Sequence, residues 1–395
     1  MQENLTIGED NVLKALNSRF VRVYLIPGAI FQSVLVGGGY GTGREIVEFF
    51  TRFGALGGLL GLLLTWICWA IVLGITYEFA RVFKAYNYRD FFKALLGRAW
   101  IAFEILFVIM FLLVLAVVAS AAGEIFRESF NIPYYLGLAI MLAAVGTLTF
   151  FGREVVTKSL AIWTLLIYVT FAVYFVVAMG QLSEGVTEQL AIGEVKSGWW
   201  VSGLQYAMYN LFIVPVILYS TVAIETRKEA AVSATVAALI CVLPALLFHL
   251  TFLGAYPQVI SQEIPLFSMI TQLGVGGVLI LYLVVLFGTL IETGAGLLQG
   301  LNERIDGFLK ETRGITLPKA GRATVAISAM ILSATLASAG IIALIARGYG
   351  TIAWGFLVVY VIPICTIGVW KLWRHGGDGP RDPASDGPSA DSPPA

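Results

Sequence analysis

Apolar residues run through this chain in blocks long enough to cross a bilayer, separated by short polar connections. A helix needs about 20 apolar residues to span a hydrocarbon core of about 30 Å. Ten stretches meet or approach that length. The first five are Val21–Phe53 (interrupted), Leu56–Phe79, Ile101–Phe126, Pro133–Phe151 and Val155–Met179. The second five are Trp199–Ile224, Ala230–Gly254, Val275–Leu298, Ala323–Ala346 and Ile352–Trp373. The pattern predicts an all-α polytopic membrane protein of ten transmembrane helices. Composition agrees, with 58% hydrophobic and 13% charged residues, against about 25% charged in soluble domains.

Lysine and arginine set the expected orientation. With both termini cytoplasmic, the inside holds all of the 25 basic residues except Arg44, Arg52, Arg127, Lys196 and Arg347. The chain is therefore expected to be a multi-pass protein of the plasma (inner) membrane, with the lipid bilayer as its solvent. Trp199 and Trp200 suit the outer interface; Trp100, Trp370 and Trp373 suit the inner one. Met1 to Ser18 is polar and does not read as a cleaved signal peptide. The expected organisation is a cytoplasmic segment (residues 1–20), a first five-helix repeat (21–180), an acidic extracellular loop (181–198), a second repeat (199–374) and a disordered tail (375–395) rich in Pro, Gly, Asp and Ser. The connections Tyr77–Trp100 and Asn302–Arg322 are basic and suit short amphipathic helices.

Five is odd, so the second half enters the membrane from the opposite side. Such a 5+5 chain suits an inverted repeat in which the first helix of each half is broken at mid-membrane. Both halves carry a breaker there. Span one contains "LVGGGYGTGREIVEFF", with Gly37, Gly38, Gly39, Gly41 and Gly43 around Thr42. Span six contains "YAMYNLFIVPVI", with Asn210 followed by Pro215. Paired interruptions point to a transporter binding site. The alternative is that the glycines only allow close helix packing and the proline only kinks. The glycines do not fit the nucleotide-binding templates, since "GGYGTGRE" lacks both the dinucleotide register and the P-loop lysine.

Unwinding frees backbone groups that are useful where they line a polar cavity. The helix start near Gly43 suits an anion such as a carboxylate, and the carbonyl end at Val36 to Gly38 suits a cation. A zwitterion such as an amino acid would match both. Glu45 lies in the first turn after the break, and Arg44 beside it either gates the outer vestibule or pairs locally with Glu48. Tyr206, Tyr209 and Phe212 flank Asn210, as substrate-capping rings or as packing.

Ten spans in two inverted fives with a glycine-rich break resemble the leucine-transporter fold of the amino acid–polyamine–organocation superfamily. More narrowly, "GGGYGTGREIVEFF" with "YAMYNLFIVPVI" resembles the YkvI-like group of bacterial membrane proteins, described as amino-acid permeases. That group carries an amide where Arg44 stands here. The resemblance implies a substrate site between spans one and six. It also implies a cation site between spans one and eight, near Val36 and Thr293. The hydroxyl pair of the family would fall at Glu292–Thr293. Some proton-coupled relatives place a fifth-span lysine where sodium would sit, and Lys158 falls near that position.

An ionisable residue inside a span is functional by default. Glu292, with Thr289 and Thr293 on about the same face, is a proton carrier, a partner of Lys158 or a metal ion, or half of a structural pair. Lys158 either joins it, pairs with Glu154 on the helix surface, or snorkels to the inner interface. His249 reads as a satisfied core histidine, and Cys68, Cys241 and Cys365 as small apolar-run residues rather than metal ligands or a disulfide framework.

These features predict a secondary active transporter of a small amino acid or related amine, coupled to H+ or Na+, with no other cofactor. The alternative is a ligand sensor on the same fold that binds without transport. Zero net charge and the absence of a basic field argue against nucleic acid. No HExxH and only two histidines argue against an intramembrane enzyme.

Overall fold

The computed structural model describes residues 18–151 and 153–377. Among these residues every regular element is helical. All ten segments read as spans are helical, and eight of the helices are long and apolar enough to cross a membrane. The other two apolar helices are shorter, Val21–Leu35 and Tyr134–Thr149. The first is short because the glycine stretch ends it. Both breaks expected of the inverted repeat are present, in spans one and six.

The exterior is a lipid-facing skin. Leu56, Leu60, Leu63, Ile67 and Ile71 are exposed at helical spacing along span two, and Ile101, Ile105 and Ile109 along span three. Such stripes face hydrocarbon without cost, so polar side chains can be kept inside. The interior gathers around the broken spans. Every residue from Leu35 to Thr51 is buried. The most apolar stretch of span six is 72% buried, whereas that of span nine is 22% buried and sits at the periphery.

Span two (Ala55–Phe83) and its repeat counterpart, span seven (Arg227–Leu253), pack extensively against each other. In lipid, helices are held together by close contact and internal hydrogen bonds rather than by expulsion of water. Thr65 Oγ1 lies 3.0 Å from the carbonyl oxygens of both Gly61 and Gly203, tying spans two and six. His249 is fully buried between Thr51 Oγ1 and Ala55 O, each at 3.0 Å. The carbonyl requires Nε2 to carry the proton, so Nδ1 accepts from Thr51, and the imidazole is satisfied. Gly28 of span one lies against span seven so closely that a Cβ there would be 2.8 Å from the Cα of Ala237.

One end of the bundle is basic. Arg19 pairs with Glu225 and Glu229, Arg81 with Glu78, and Arg304 with Glu104. An amphipathic helix, Tyr88–Leu96, lies at this end, capped by Asn87 accepting from the Asp90 N–H at 2.9 Å. Its Phe92 ring stacks on Phe103 at 3.6 Å. At the far end, the connection between spans seven and eight forms a lid containing a helix, Pro265–Gln272.

Four boundaries differ from the sequence reading. Helix Arg153–Ile192 continues through most of the segment expected as the acidic loop, because polar residues at a helix end in water need not unwind it. Span eight, Gly276–Arg313, likewise runs through the first half of the basic connection instead of yielding a separate helix. Span nine, Lys319–Ala337, stops early and span ten restarts at Ile341. Gly340, at φ 82°, makes that turn, and Arg347 therefore lies in a helix rather than in a loop. Apart from residues 18–20 and 375–377, the amino-terminal segment and the tail lie outside the described residues.

Replacing Gly28 by Ala should push spans one and seven apart and lower stability by about 1–3 kcal/mol. Thermal unfolding of the purified protein in detergent checks this.

Candidate functional site

The inner half of span one, Ile26–Leu35, ends in a tight reversal. Val36 adopts φ −75°, ψ 66°, and the Gly37 N–H donates to Leu35 O at 2.8 Å. This is an inverse γ-turn. Gly37 is extended, and a new short helix, Gly38–Gly41, begins at once. Thr42 and Gly43 then interrupt the chain again before helix Arg44–Phe49. Gly43 has φ 79°, and a Cβ there would lie 2.6 Å from the Phe252 ring, so only glycine fits without strain.

One face of span eight runs beside this break. Tyr282 donates its hydroxyl to Gly41 O at 3.2 Å. Leu286 and Leu290 pack on Gly41 and Gly38, and the Thr293 methyl lies 3.6 Å from where a Gly37 Cβ would be. The freed backbone is also held from the far end, where the Leu266 N–H of the lid donates to Thr42 O at 3.0 Å. Thr42 Oγ1 donates to Gly39 O at 2.8 Å and accepts from the Arg44 N–H at 3.3 Å.

Arg44 and Glu45 diverge. Arg44 is buried and reaches outward to the lid, donating to Ile260 O at 2.7 Å and Gln262 O at 2.9 Å. Its other terminal nitrogen pairs with Glu48 at 2.7 Å, so the contact with the lid and the local pair coexist. Glu48 also pairs with Arg52. Glu45 turns inward instead. Its carboxyl folds back over Gly39 and accepts from the Tyr209 hydroxyl at 2.5 Å.

Span six does not unwind as span one does. Helix Trp199–Asn210 tightens to a 3₁₀ turn at Leu211–Ile213, and the chain resumes at Val214. Pro215 sits in the first turn of the resumed helix, where its missing N–H costs little. Asn210 donates its amide to Tyr206 O at 3.0 Å and so caps its own helix. Tyr206 and Tyr209 pack with Phe49, at centroid distances of 5.6 Å and 5.4 Å. Tyr349, carried on a π-helical turn of span ten, lies 4.8 Å from the Tyr209 ring.

Toward the basic end a vestibule of about 1060 Å³ opens. Ser33 and Val34 of span one, Phe212 and Val216 of span six, Phe107 of span three and Glu292, Thr293 and Gly296 of span eight line it. Glu292 is 4% exposed and its Oε1 has no hydrogen-bond partner. Thr289 is buried and bonds back to Val285 O at 2.8 Å. The side chain of Lys158 lies outside the described residues. The mouth is braced by Arg304, which pairs with both Glu104 oxygens and lies 3.5 Å over the Phe107 ring.

The structure therefore brings together Gly37 to Gly43, Glu45, Tyr206 and Tyr209 at a sealed centre. It sets Glu292, Thr293 and Phe212 on the open side. Among the described residues no group of three or more His, Cys, Asp or Glu side chains converges as a metal would require. Sequence reading missed several contributors. Gln32, fully buried with both amide atoms unpartnered, stands one turn before the break; its signal is an amide inside an apolar run. Tyr282, Tyr349 and the lid have no local signal, because their roles depend on contacts with distant segments.

Membrane-length helices packed round two interrupted spans make the chain a membrane protein of the leucine-transporter fold. No family model matches it. Its sequence is similar to the uncharacterized membrane protein YkvI of Bacillus subtilis (strain 168), 27% identical over 295 residues that cover 71% of this chain and 80% of that protein. The resemblance drawn from the glycine stretch is thus borne out. Its fold is similar to that of a Na+-coupled sialic acid symporter in a substrate-bound, outward-open state, with a TM-score of 0.61 and 13% identity over 86% of this chain and 78% of that one. It is also similar to a manganese transporter of Eremococcus coleocola, with a TM-score of 0.56 and 13% identity over 88% of this chain and 78% of that one.

Arg44→Ala should destabilise the protein by about 2–4 kcal/mol, because it leaves two lid carbonyls without their donor and Glu48 with Arg52 alone. Thermal denaturation checks the loss, and Arg44→Lys should recover part of it.

Proposed function

We propose that this protein is a secondary active transporter that moves a small amino acid or related amine by alternating access. The observation that carries the reading is one-sided access. A vestibule rises from the basic end to the break in span one, while the other end is shut by the lid and Arg44. By the positive-inside rule the basic end is cytoplasmic, which makes this an inward-facing arrangement. Fold relatives that carry solutes across membranes, among them the sialic acid symporter and the manganese transporter, support transport over catalysis.

The chemistry follows from the geometry. A helix broken at mid-membrane offers a solute backbone groups that an intact helix keeps for itself. Opening the other side requires Arg44 to leave Ile260 and Gln262 and the lid to release Thr42. Those are a few hydrogen bonds, each worth about 1 kcal/mol net, or about 1.5–3 kcal/mol where the donor is charged. A few kcal/mol is the range in which a bound solute or ion can shift a two-state equilibrium.

Glu292 is the coupling residue in this reading. Glu292 lines the vestibule and one of its oxygens is buried without a partner, and the next residue, Thr293, lies beside the break at Gly37. A proton on the carboxyl, or a sodium ion shared with Thr293 and the Val36 carbonyl, would link its occupancy to the position of span one.

Purified protein in proteoliposomes should accumulate one member of an amino-acid and amine panel when a proton or sodium gradient is imposed. Glu292→Gln should abolish the response to the gradient while equilibrium exchange of the solute persists. Tight binding without counterflow would mark a sensor instead. No gradient-stimulated uptake across the panel would overturn the proposal.

A further inference from the structure

We infer that the central site takes an organic ammonium ion that lacks a carboxylate, with Glu45 as its counter-charge. This rests on the transporter reading and narrows its substrate class.

The break already holds a carboxyl group of its own, over Gly39. Glu45 folds back so far over the break that its Oε1 lies 2.2 Å from where a Cβ on Gly39 would be. A second carboxylate there would meet a like charge in a water-poor interior, where such repulsion is strong.

Glu45 is 5% exposed and, among the described residues, no basic side chain pairs with it. Arg44, its chain neighbour, is committed to Glu48 and to the carbonyls of Ile260 and Gln262. The hydrogen-bond donor on Glu45 is the Tyr209 hydroxyl. A carboxyl group buried with so little compensation holds its charge only when a cation stands beside it, and an incoming ammonium would supply that cation.

The surroundings select which cation. Tyr209 is packed by Phe49 at 5.4 Å, Tyr206 at 5.5 Å and Tyr349 at 4.8 Å. The Tyr206 hydroxyl is buried without a partner. Sodium requires a cage of oxygen ligands. Aromatic faces beside one carboxylate instead match an alkylammonium group, which ring quadrupoles attract. The unpartnered Tyr206 hydroxyl offers the ammonium a second acceptor. Phe212, three residues beyond Tyr209, lines the vestibule, so the same stretch of span six borders both the centre and the open side.

The test compares amino acids with the amines left by removing their carboxyl group: phenylalanine with phenethylamine, valine with isobutylamine and lysine with cadaverine. Binding to the purified full-length protein is measured by thermal shift and by titration, with and without sodium, for wild type, Glu45→Gln, Glu45→Asp and Tyr209→Phe. At least one amine should bind and its parent amino acid should not. Glu45→Gln should weaken that amine about tenfold or more, Glu45→Asp should restore part of the affinity, and Tyr209→Phe should have a smaller effect.

Should Glu45→Gln fail to fold, the amine-over-acid preference of the wild type decides. Equal binding of acid and amine, or an affinity unchanged in Glu45→Gln, would overturn the inference and leave the transporter reading standing. A sodium shift without amine that Glu45→Gln removes would overturn it in favour of an inorganic cation. If neither series binds, the ammonium assignment falls. Gradient-driven uptake from a wider solute panel then judges transport separately.

Discussion

Hydrocarbon offers a backbone amide or carbonyl no hydrogen-bond partner, and this structure depends on how the chain meets that constraint where it stops being a helix. An unsatisfied group costs several kcal/mol in lipid. Span one breaks twice, at Val36–Gly37 and at Thr42–Gly43, so its freed groups need partners from elsewhere. Span eight supplies the Tyr282 hydroxyl to Gly41, the lid supplies the Leu266 N–H to Thr42, and Thr42 supplies its own hydroxyl to Gly39. The break is stable because two separate parts of the fold close on it and Thr42 satisfies a third group from within.

In the proposed transporter the same arrangement would link access to occupancy. The partners of the break come from elements on different sides of the bundle. The lid and Arg44 hold the far side shut, whereas Thr293 and Glu292 belong to the wall of the open vestibule. Any ligand that competes for the break must change the balance between these two sets. In the proposed ammonium site Glu45 would make that competition electrostatic, because its carboxyl lies over the break at Gly39.

Much of the fold was legible in the sequence because hydropathy and charge are local signals. The ten segments, the amphipathic helix near Tyr88 and the break at the glycines all follow from short stretches read alone. What was not legible is non-local. Arg44 finds its carbonyl partners 216 and 218 residues away, and Glu45 finds Tyr209 164 residues away. A carboxylate in the first turn of a helix suits the dipole there, and nothing nearby says that it will fold back instead. The Asn210–Pro215 interruption was visible but its depth was not. Proline in a first turn is harmless, so span six tightens where span one unwinds. Span nine ran too far in the reading because "LASAGII" carries a single polar residue, Ser338, and the turn at Gly340 leaves no stronger mark.

The central claim is that the two ends open alternately. It is tested most directly by paired distances, measured by pulsed electron spin resonance on protein whose native cysteines are replaced. One label pair would span the vestibule, at Ser33 and Gly307. The other would span the far end, at Ser261 of the lid and Trp200 of span six. Wild type and Arg44→Ala would be compared in lipid nanodiscs. Releasing the lid should lengthen the far-end distance and shorten the vestibule distance in the same sample. A far-end distance that lengthens while the vestibule stays unchanged would contradict the account, because the two ends would then move independently.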